Sequence, residues 1–398
     1  MDYRDPGCLD AANQIAYMRD KKRVAFKQMS EAEALYYLNK LSYFYKVKSF
    51  AKNFDKYNID ESLKGVYINL DFGYLVELER LDNLFREAIL RLTLDIEHSL
   101  KTRINASAMK CAISPISLTE AYLEFSREST LVEQSRNFSA LNVEEAIHDI
   151  KKFFSEIDIN HPSRAMESLN AMADCIGEVT LHRDPDYVAK SIRGLSSSKY
   201  SGGIVRKHQD SVMPYWCMLE LISFGPLISL YKQCFKKDGL INDEDEARVC
   251  KDIKNMLRQV QSLRNAAAHG DSLLNTLSSY SSSSSLKGIR RKMIERGMTN
   301  EIANRVASVP VALEFTSILM CYEILVPDSD NRQKAVCRLS DLATEMQENK
   351  SWFEKCYPIK SFLDYMDYIL PKYAKRFEGG DQLLSPLSST LSRVGIYQ

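Results

Sequence analysis

The sequence predicts an all-α protein, and three observations support that fold class. Apolar residues recur at helical spacing in most segments, and we find no segment with the strict alternation typical of a β-strand. Glycine and proline are scarce, with 15 and 11 among 398 residues, which favours long helices over a turn-rich architecture. Hydrophobic residues make up 45% of the chain and charged residues 27%, the balance of a globular protein.

The first predicted helix begins at Ser30, because Glu33 follows three residues later in a capping-box pattern. The next residues contain a dense aromatic cluster, which we interpret as core in preference to a surface for base stacking. The cluster comprises Tyr36, Tyr37, Tyr43, Phe44 and Tyr45. The basic run at residues 19–27 is interpreted as a solvated face, and it is also the best local candidate for phosphate binding outside the motif described below.

A long helix is predicted over residues 75–109. Its apolar stripe has spacings of four, three, four and four residues and comprises Phe85, Ile89, Leu92, Ile96 and Leu100. Glu97 precedes Lys101 by four residues, the order that supports a salt bridge within a helix. Taken alone, that pair is interpreted as part of a solvated helix face.

The middle of the chain is predicted to hold a helical insertion over residues 119–205, closed by a flexible connector at 194–203. The apolar and aromatic pattern of residues 213–237 predicts two helices. They are expected to separate at Gly225–Pro226, since proline cannot continue a helix hydrogen-bond ladder. Trp216 and Phe224 are expected in the core of this pair.

A further helix is predicted within residues 242–270. Its buried stripe comprises Val249, Ile253, Met256, Val260, Leu263 and Ala267. Gly270 is the expected stop of that helix, because glycine favours the left-handed backbone of a helix end. The serine-rich run at 278–288 is interpreted as a linker, and further helices are predicted beyond it.

Charge and cysteine usage exclude several classes of protein. The chain carries 53 basic and 53 acidic residues, so a nucleic-acid partner would have to be held by a local patch. Nine cysteines are scattered singly with no C-x-x-C pair, which disfavours zinc ligation and a disulfide framework. The N-terminal residues have no apolar stretch and no run approaches ~18 apolar residues, so neither a signal peptide nor a membrane span is expected. We therefore expect a cytoplasmic protein without membrane partners.

One short motif brings reactive groups together within the run QSLRNAAAHGDSLLN, residues 261–275. On a helix, Asn265 and His269 share a face, and the long side chain of Arg264 can reach the same space. Arginine binds phosphate oxygens through paired donors, and histidine transfers protons near neutral pH. The ribose 2′-hydroxyl of RNA supplies its own nucleophile, so these groups suffice for RNA cleavage with no metal and no cofactor. By spacing alone, a capped, salt-bridged helix end is favoured over a catalytic site.

Four segments together resemble a known family. The R-x4-H element of LRNAAAHGDSLLN (263–275) is similar to the signature of HEPN-domain ribonucleases. The segments ALYYLNKLSYFYKVKSFAKNF (34–54), LDNLFREAILRLTLDIEHSLKTRI (81–104) and KHQDSVMPYWCMLELISFGPLISLYKQC (207–234) resemble the abortive-infection (Abi) proteins of the AbiD/AbiF type. Their order and approximate spacing agree with that family over about residues 20–275.

The resemblance implies a HEPN-like helical bundle and an anti-phage endoribonuclease toxin that cleaves RNA by 2′-hydroxyl attack without metal. It places Arg264 and His269 at the catalytic positions and Asn265 at the polar position beside the arginine. It further implies a composite site formed by a homodimer, RNA as substrate, and a non-coding RNA antitoxin as partner. This sequence departs from the family's A-H-H-x-R pattern, because Gly270 follows the histidine and the segment AHGDSLLN contains no arginine.

The family core then divides the chain into four segments. The two halves of the core are predicted at 1–118 and 206–280, with the insertion at 119–205 between them and a helical extension at 281–398. The resemblance describes neither the insertion nor the extension.

Supporting roles are predicted for five further residues. Glu97, with Lys101 and Arg103, is a candidate for orienting the signature arginine from a neighbouring helix, although an exposed ion pair needs no function. Lys207 and His208 are candidates for RNA contact. Two alternatives to a ribonuclease remain open: a non-catalytic RNA-binding module of a defence or toxin–antitoxin system, and a structural helical scaffold.

Overall fold

The structure is a computed structural model that describes residues 10–58, 63–140, 186–208, 211–278 and 287–379, and only the backbone of 130–140. Throughout these residues the regular structure is helical, and β-pairing is limited to two isolated bridges, Ala25 with Asp71 and Lys56 with Tyr67. The predicted all-α class is therefore confirmed.

The part of the chain that the structure describes contains sixteen α-helices, numbered here in chain order. The first seven are α1 (Ala11–Ala16), α2 (Glu31–Lys40), α3 (Phe44–Ser49), α4 (Phe72–Lys110), α5 (Pro115–Ala140), α6 (Tyr187–Gly194) and α7 (Gly202–Lys207). The others are α8 (Tyr215–Leu221), α9 (Phe224–Phe235), α10 (Glu244–Ile253), α11 (Met256–His269), α12 (Lys287–Glu295), α13 (Asn300–Ser308), α14 (Pro310–Leu325), α15 (Asp330–Gln347) and α16 (Tyr357–Phe377).

The chain divides into two compact units. The first comprises Met1–Leu100 together with Lys251–Gln398, and the second comprises Lys101–Cys250. The predicted segment boundaries at 118, 205 and 280 stay a prediction.

The core of the first unit is built on the N-terminal part of α4. All five residues of the predicted stripe are fully buried, because their spacing keeps them on one face of the helix. Phe85 packs edge-to-face against Phe315 of α14 and Phe362 of α16, with ring centroids 4.8 and 5.9 Å apart. Helices α15 and α16 pack together, and α11 packs on α14. The helix that carries the motif therefore rests on the hydrophobic core of this unit.

Polar side-chain contacts connect the helices of the second unit to one another. The hydroxyl of Tyr122 in α5 donates to the carbonyl oxygen of Pro226 at 2.7 Å. Glu246 of α10 accepts a hydrogen bond from the Tyr231 hydroxyl and pairs with Arg103 at 2.8 Å. Because burial and the neighbouring carboxylate both disfavour the phenolate, the pKa of Tyr231 is raised.

Two helix starts follow directly from local sequence. Ser30 and Glu33 form the predicted capping box, in which the Ser30 N–H donates to Glu33 at 2.8 Å and the Glu33 N–H donates to the Ser30 hydroxyl at 3.3 Å. Asp71 precedes the long helix α4 and accepts from the backbone N–H groups of Gly73 and Lys27 at 2.9 and 2.7 Å. The Ser30 hydroxyl and the Asp71 carboxylate thus each accept from a backbone donor that the first helical turn leaves unpaired.

The structure corrects two predicted helix boundaries. The break between α8 and α9 falls at Ile222–Ser223 rather than at Gly225–Pro226, and Pro226 lies in the first turn of α9, where an N–H is not needed. The helix predicted within 242–270 is interrupted at 254–255, before α11. Residues 194–203 include the end of α6, a short 3₁₀ turn and the start of α7, and their flexibility stays a prediction. The serine-rich run lies largely outside the described residues.

Four aromatic side chains contradict their predicted burial. Trp216 is exposed, whereas Phe224 is buried as predicted. Tyr36, Tyr43 and Tyr45 are also exposed, because α2 buries Ala34 and Leu38 and the short helix α3 buries Lys46, Val47 and Ser49 instead. The interpretation of the aromatic cluster as core is therefore wrong for three of its five members.

Across the described ranges, no single helix is long and apolar enough to span a membrane. Helices α13 and α14 together reach the required length and composition, but they are bent by 116° relative to one another.

Candidate active site

Helix α11 holds the motif residues against the core of the first unit. The predicted stripe is buried from Met256 through Ala267, which leaves the rest of the last turn toward solvent. The helix ends as predicted at Gly270, with φ at +76°. The N–H groups of Asp271 and Gly270 donate to the carbonyl oxygens of Ala266 and Ala267 at 3.0 and 3.2 Å, the pair of bonds that defines a Schellman motif.

Arg264 lies at the edge of this interface and contacts an acid of the long helix α4. Its Nη2 lies 3.6 Å from the Oε2 of Glu97, and the side chains are 29% and 16% exposed. Its Nη1 also donates to the Oδ1 of Asn265 at 3.3 Å. The guanidinium is therefore oriented from two sides while part of it stays accessible to solvent.

His269 is the last residue of α11, and its side chain is exposed. Asn265 lies one helical turn before it, and Ala268 between them is exposed and small. Gly270 on the other side of His269 carries no side chain, and open space surrounds it.

The turn that follows His269 is held by two cationic side chains. Lys46 of α3 donates from Nζ to the carbonyl oxygen of Gly270 at 2.7 Å. Arg86 of α4 donates to the carbonyl oxygen of Asp271 at 3.2 Å. Both cations therefore bind carbonyl groups at the C-terminal end of α11, where the helix dipole favours positive charge.

The buried acid Asp82 connects Lys46 and Arg86 to the backbone at Leu274. Asp82 of α4 is fully buried, accepts a hydrogen bond from Arg86, and lies 3.9 Å from the Nζ of Lys46. It also accepts from the backbone N–H of Leu274 at 2.8 Å. The three charged side chains thus form one network, which we call the Lys46–Asp82–Arg86 network.

The amide side chain of Asn53 holds the end of the segment that follows the motif, residues 270–277. Asn53 donates to the carbonyl oxygen of Leu274 at 2.7 Å and accepts from the N–H of Leu277 at 2.8 Å. Residues 270–277 are therefore fixed at both ends by side chains from the N-terminal part of the chain.

Burial sets the electrostatics of the network. It raises the pKa of the Asp82 carboxyl. The Leu274 N–H, Arg86 and Lys46 each favour the carboxylate and partly offset this rise. Burial also lowers the pKa of the Lys46 ammonium, and repulsion from Arg86 lowers it further. Because each charge is costly to bury alone, removing any one member leaves the others poorly compensated.

The sequence interpretation missed this network. A signal was present, because Asp82 precedes Phe85 by three residues and therefore lies near the apolar stripe of α4. An acid on the buried side of a helix requires partners, and Arg86 one turn later is a natural one. Lys46 carried no comparable signal, since lysine beside exposed tyrosines is typical of a solvated helix.

The five supporting residues are distributed over both units. Glu97 lies in the first unit and contacts Arg264, the arrangement considered for it in the sequence. Lys101, Arg103, Lys207 and His208 belong to the second unit. There Arg103 pairs with Glu246, Lys207 is exposed, and the Nε2 of His208 lies 4.0 Å from the Sγ of Cys217.

No cluster of three histidine, cysteine or acidic side chains suited to a metal occurs among the described residues. A cavity of about 290 Å³ is lined by residues 277–278, parts of α13 and α14, and Tyr357 to Tyr365 of α16, and it includes no motif residue. The motif residues thus form an exposed helix end, whose groups can bind a phosphate oxygen and transfer a proton.

Comparisons with known proteins identify the family. The profile of the family described as Abi-like protein matches residues 36–275. No curated protein and no solved structure matches the chain. The matched range runs from the exposed Tyr36 of α2 through the motif and the segment that the Lys46–Asp82–Arg86 network holds. Since it covers more than half of the chain, this protein belongs to the Abi-like family.

Proposed function

We propose that this Abi-like protein, whose family indicates a role in abortive infection, is a metal-independent endoribonuclease. The observation that carries the proposal is the position of Arg264 and His269 at the solvent-accessible end of α11, with Arg264 oriented by Glu97. Asn265, which accepts from Arg264, completes the catalytic set. We infer that its activity arrests the growth of an infected cell.

The proposed reaction uses the ribose 2′-hydroxyl as nucleophile. A base takes its proton, the 2′-oxygen bonds to phosphorus, and the bond from phosphorus to the 5′-oxygen breaks. An acid protonates the departing 5′-oxygen as that bond breaks. The products are a 2′,3′-cyclic phosphate and a 5′-hydroxyl, and arginine offsets the negative charge that develops on the phosphate.

Base and acid act at the same time on opposite sides of the phosphorus, and each chain contributes one motif histidine. We therefore propose that two chains pair so that the ends of their α11 helices face one another across the RNA. The exposure of His269 at the helix end is compatible with the approach of a second copy. A non-coding RNA antitoxin, implied by the family resemblance, is proposed as the partner that silences this site.

The proposal is tested by incubating the purified chain with unstructured RNA in EDTA. The wild-type chain should cut, and His269→Ala should abolish cutting while its thermal unfolding is unchanged. His98→Ala replaces another exposed histidine of the same unit and is the matched control. RNA that is bound but not cut by the wild-type chain would instead support the non-catalytic RNA-binding module.

A further inference from the structure

Three tyrosines near the start of the family match are exposed to solvent. Tyr36, Tyr43 and Tyr45 have 61%, 62% and 76% of their surface accessible. Single exposed aromatic residues are common on protein surfaces, whereas three exposed tyrosines within ten residues of sequence are an unusual concentration. Their rings contribute little to the core of the unit, so burial does not explain their presence.

The same stretch concentrates positive charge in a chain with no net charge. Residues 34–57 contain five lysines and one aspartate. The ammonium groups of Lys48 and Lys22 lie over the ring of Tyr17 at 5.3 and 5.7 Å, and Lys56 lies 4.8 Å from the ring of Tyr67. Burial lowers the pKa of Lys48, and repulsion from Lys22 and Lys56 lowers it further. Lys48 is therefore close enough to both Lys22 and Lys56 to be repelled by them.

Helix α3 connects this charge to the motif. Lys46 on one side of the helix binds the carbonyl oxygen of Gly270, the residue after His269. At 3.6 residues per turn, Tyr45 lies about 100° from Lys46 and about 60° from Lys48 around the helix axis. Val47 occupies the opposite, buried side. The exposed ring of Tyr45 therefore lies between the side of α3 that contacts the motif turn and the side that carries the lysine cluster.

We propose that Tyr43 and Tyr45, together with Lys22, Lys48 and Lys56, form a binding surface for single-stranded RNA that leads to His269. Unpaired bases stack on the tyrosine rings while the ammonium groups contact backbone phosphates. Aromatic rings interleaved with cations suit a single strand, because a duplex keeps its base faces covered. The inference deepens the proposed ribonuclease by assigning its substrate class, and it rests on that proposal.

The test measures binding separately from cleavage. A fluorescent single-stranded RNA is titrated in EDTA onto the full chain carrying His269→Ala, so that the strand stays intact. Adding Tyr45→Ala should weaken binding about tenfold, since stacking of one base contributes roughly that factor. Tyr45→Phe keeps the ring and should restore binding. Tyr357→Ala removes a tyrosine of α16 that is 74% exposed and serves as the matched control.

A salt series tests the phosphate contacts. Lys56→Gln should make the affinity less dependent on salt, because one fewer counterion is released from the strand. A duplex RNA of the same length should bind more weakly than the single strand. Equal affinity of the Tyr43→Ala, Tyr45→Ala double variant, or tighter binding of the duplex, would overturn the inference.

The outcomes separate this inference from the proposed function. Cleavage by the wild-type chain with unchanged binding by the tyrosine variants overturns the binding surface and leaves the ribonuclease. Weakened binding by those variants without cleavage by the wild-type chain supports the surface and overturns the ribonuclease. Association with a second protein chain through Tyr45, detected as a change in mass on Tyr45→Ala with RNA affinity unchanged, also overturns the surface.

Discussion

The Nζ of Lys46 donates a hydrogen bond to the carbonyl oxygen of Gly270 at 2.7 Å, which ties helix α3 to the residue that follows His269. The contact joins positions 224 residues apart in the sequence. It lies inside residues 36–275, the range that the family profile matches, at the end of the helix that carries Arg264 and His269. The geometry of the proposed catalytic end therefore depends on a lysine far from it in the chain.

Replacing that lysine tests how strongly the turn depends on it. Lys46→Met keeps most of the packing volume but removes the charged donor, which leaves the carbonyl of Gly270 unpaired and Asp82 with less compensation. We expect a loss of about 2 kcal/mol of stability, the usual contribution of a buried hydrogen bond to a charged group. The midpoint of urea unfolding measures it, with exposed Lys40→Met as control. Equal midpoints for the two variants would contradict the role of the network.

Gly270 allows the helix to end where it does. Its φ of +76° is unfavourable for side chains with a Cβ, although open space surrounds the position. Gly270→Ala should therefore cost about 1–2 kcal/mol through the backbone alone, and Gly270→Asn should cost less, because asparagine tolerates this conformation. Thermal unfolding distinguishes the two. An alanine variant as stable as the wild type would show that the turn adopts another conformation.

The Arg264–Glu97 contact should affect catalysis more than folding. Both groups are partly exposed and 3.6 Å apart, so the pair contributes less than about 1 kcal/mol to stability. Glu97→Gln should leave the melting temperature nearly unchanged and should lower kcat, because the guanidinium loses one of its orienting contacts. Asp252→Asn, which breaks the exposed pair with Lys292, provides the control. A kcat equal to that of the wild type would remove Glu97 from the site.

A half-buried acid that contacts the motif helix predicts the pH dependence of stability. Burial raises the pKa of Glu314 on α14, and its hydrogen bond with Ser262 of α11 opposes that shift. Between the unfolded and the raised folded pKa, the folded chain binds more protons. The contribution of protonated Glu314 to stability is therefore fully present below the pKa that Glu314 has in the unfolded chain. It declines as the pH rises through the pKa of Glu314 in the folded chain.

Glu314→Gln should remove that decline while keeping a partner for Ser262. Melting temperatures between pH 4 and pH 7 should fall less for this variant than for the wild type. Glu301→Gln replaces an exposed acid of α13 and should follow the wild-type profile. Parallel profiles for Glu314→Gln and the wild type would contradict a raised pKa.

The sequence was sufficient to predict the elements that depend on local patterns. The buried stripe of α4, the capping box at Ser30 and the stop at Gly270 each depend on residues within a turn or two of one another. Each was confirmed, because helix periodicity and end chemistry act over short distances. The relation to the Abi family was likewise carried by short segments that stay recognisable in order.

Local sequence patterns could not predict contacts between residues that are far apart in the chain. Tyr45 was predicted to be buried because large aromatic side chains usually are, yet α3 instead turns Lys46 inward to reach Gly270. The selection of that face depends on a carbonyl group brought close by the fold of the whole unit. The contact between Glu97 and Arg264 could be considered from the sequence only as one arrangement among several, since it joins two separate helices.

The central claim is that Arg264 and His269 direct a 2′-hydroxyl attack on RNA, and the chemistry of the cut ends tests it most directly. The wild-type chain is incubated in EDTA with an RNA and with its fully 2′-O-methylated copy, and the fragments are analysed by mass spectrometry. We predict 2′,3′-cyclic phosphate and 5′-hydroxyl ends from the RNA and no cleavage of the methylated strand. Fragments ending in a 3′-hydroxyl, or cleavage of the methylated strand, would contradict the account.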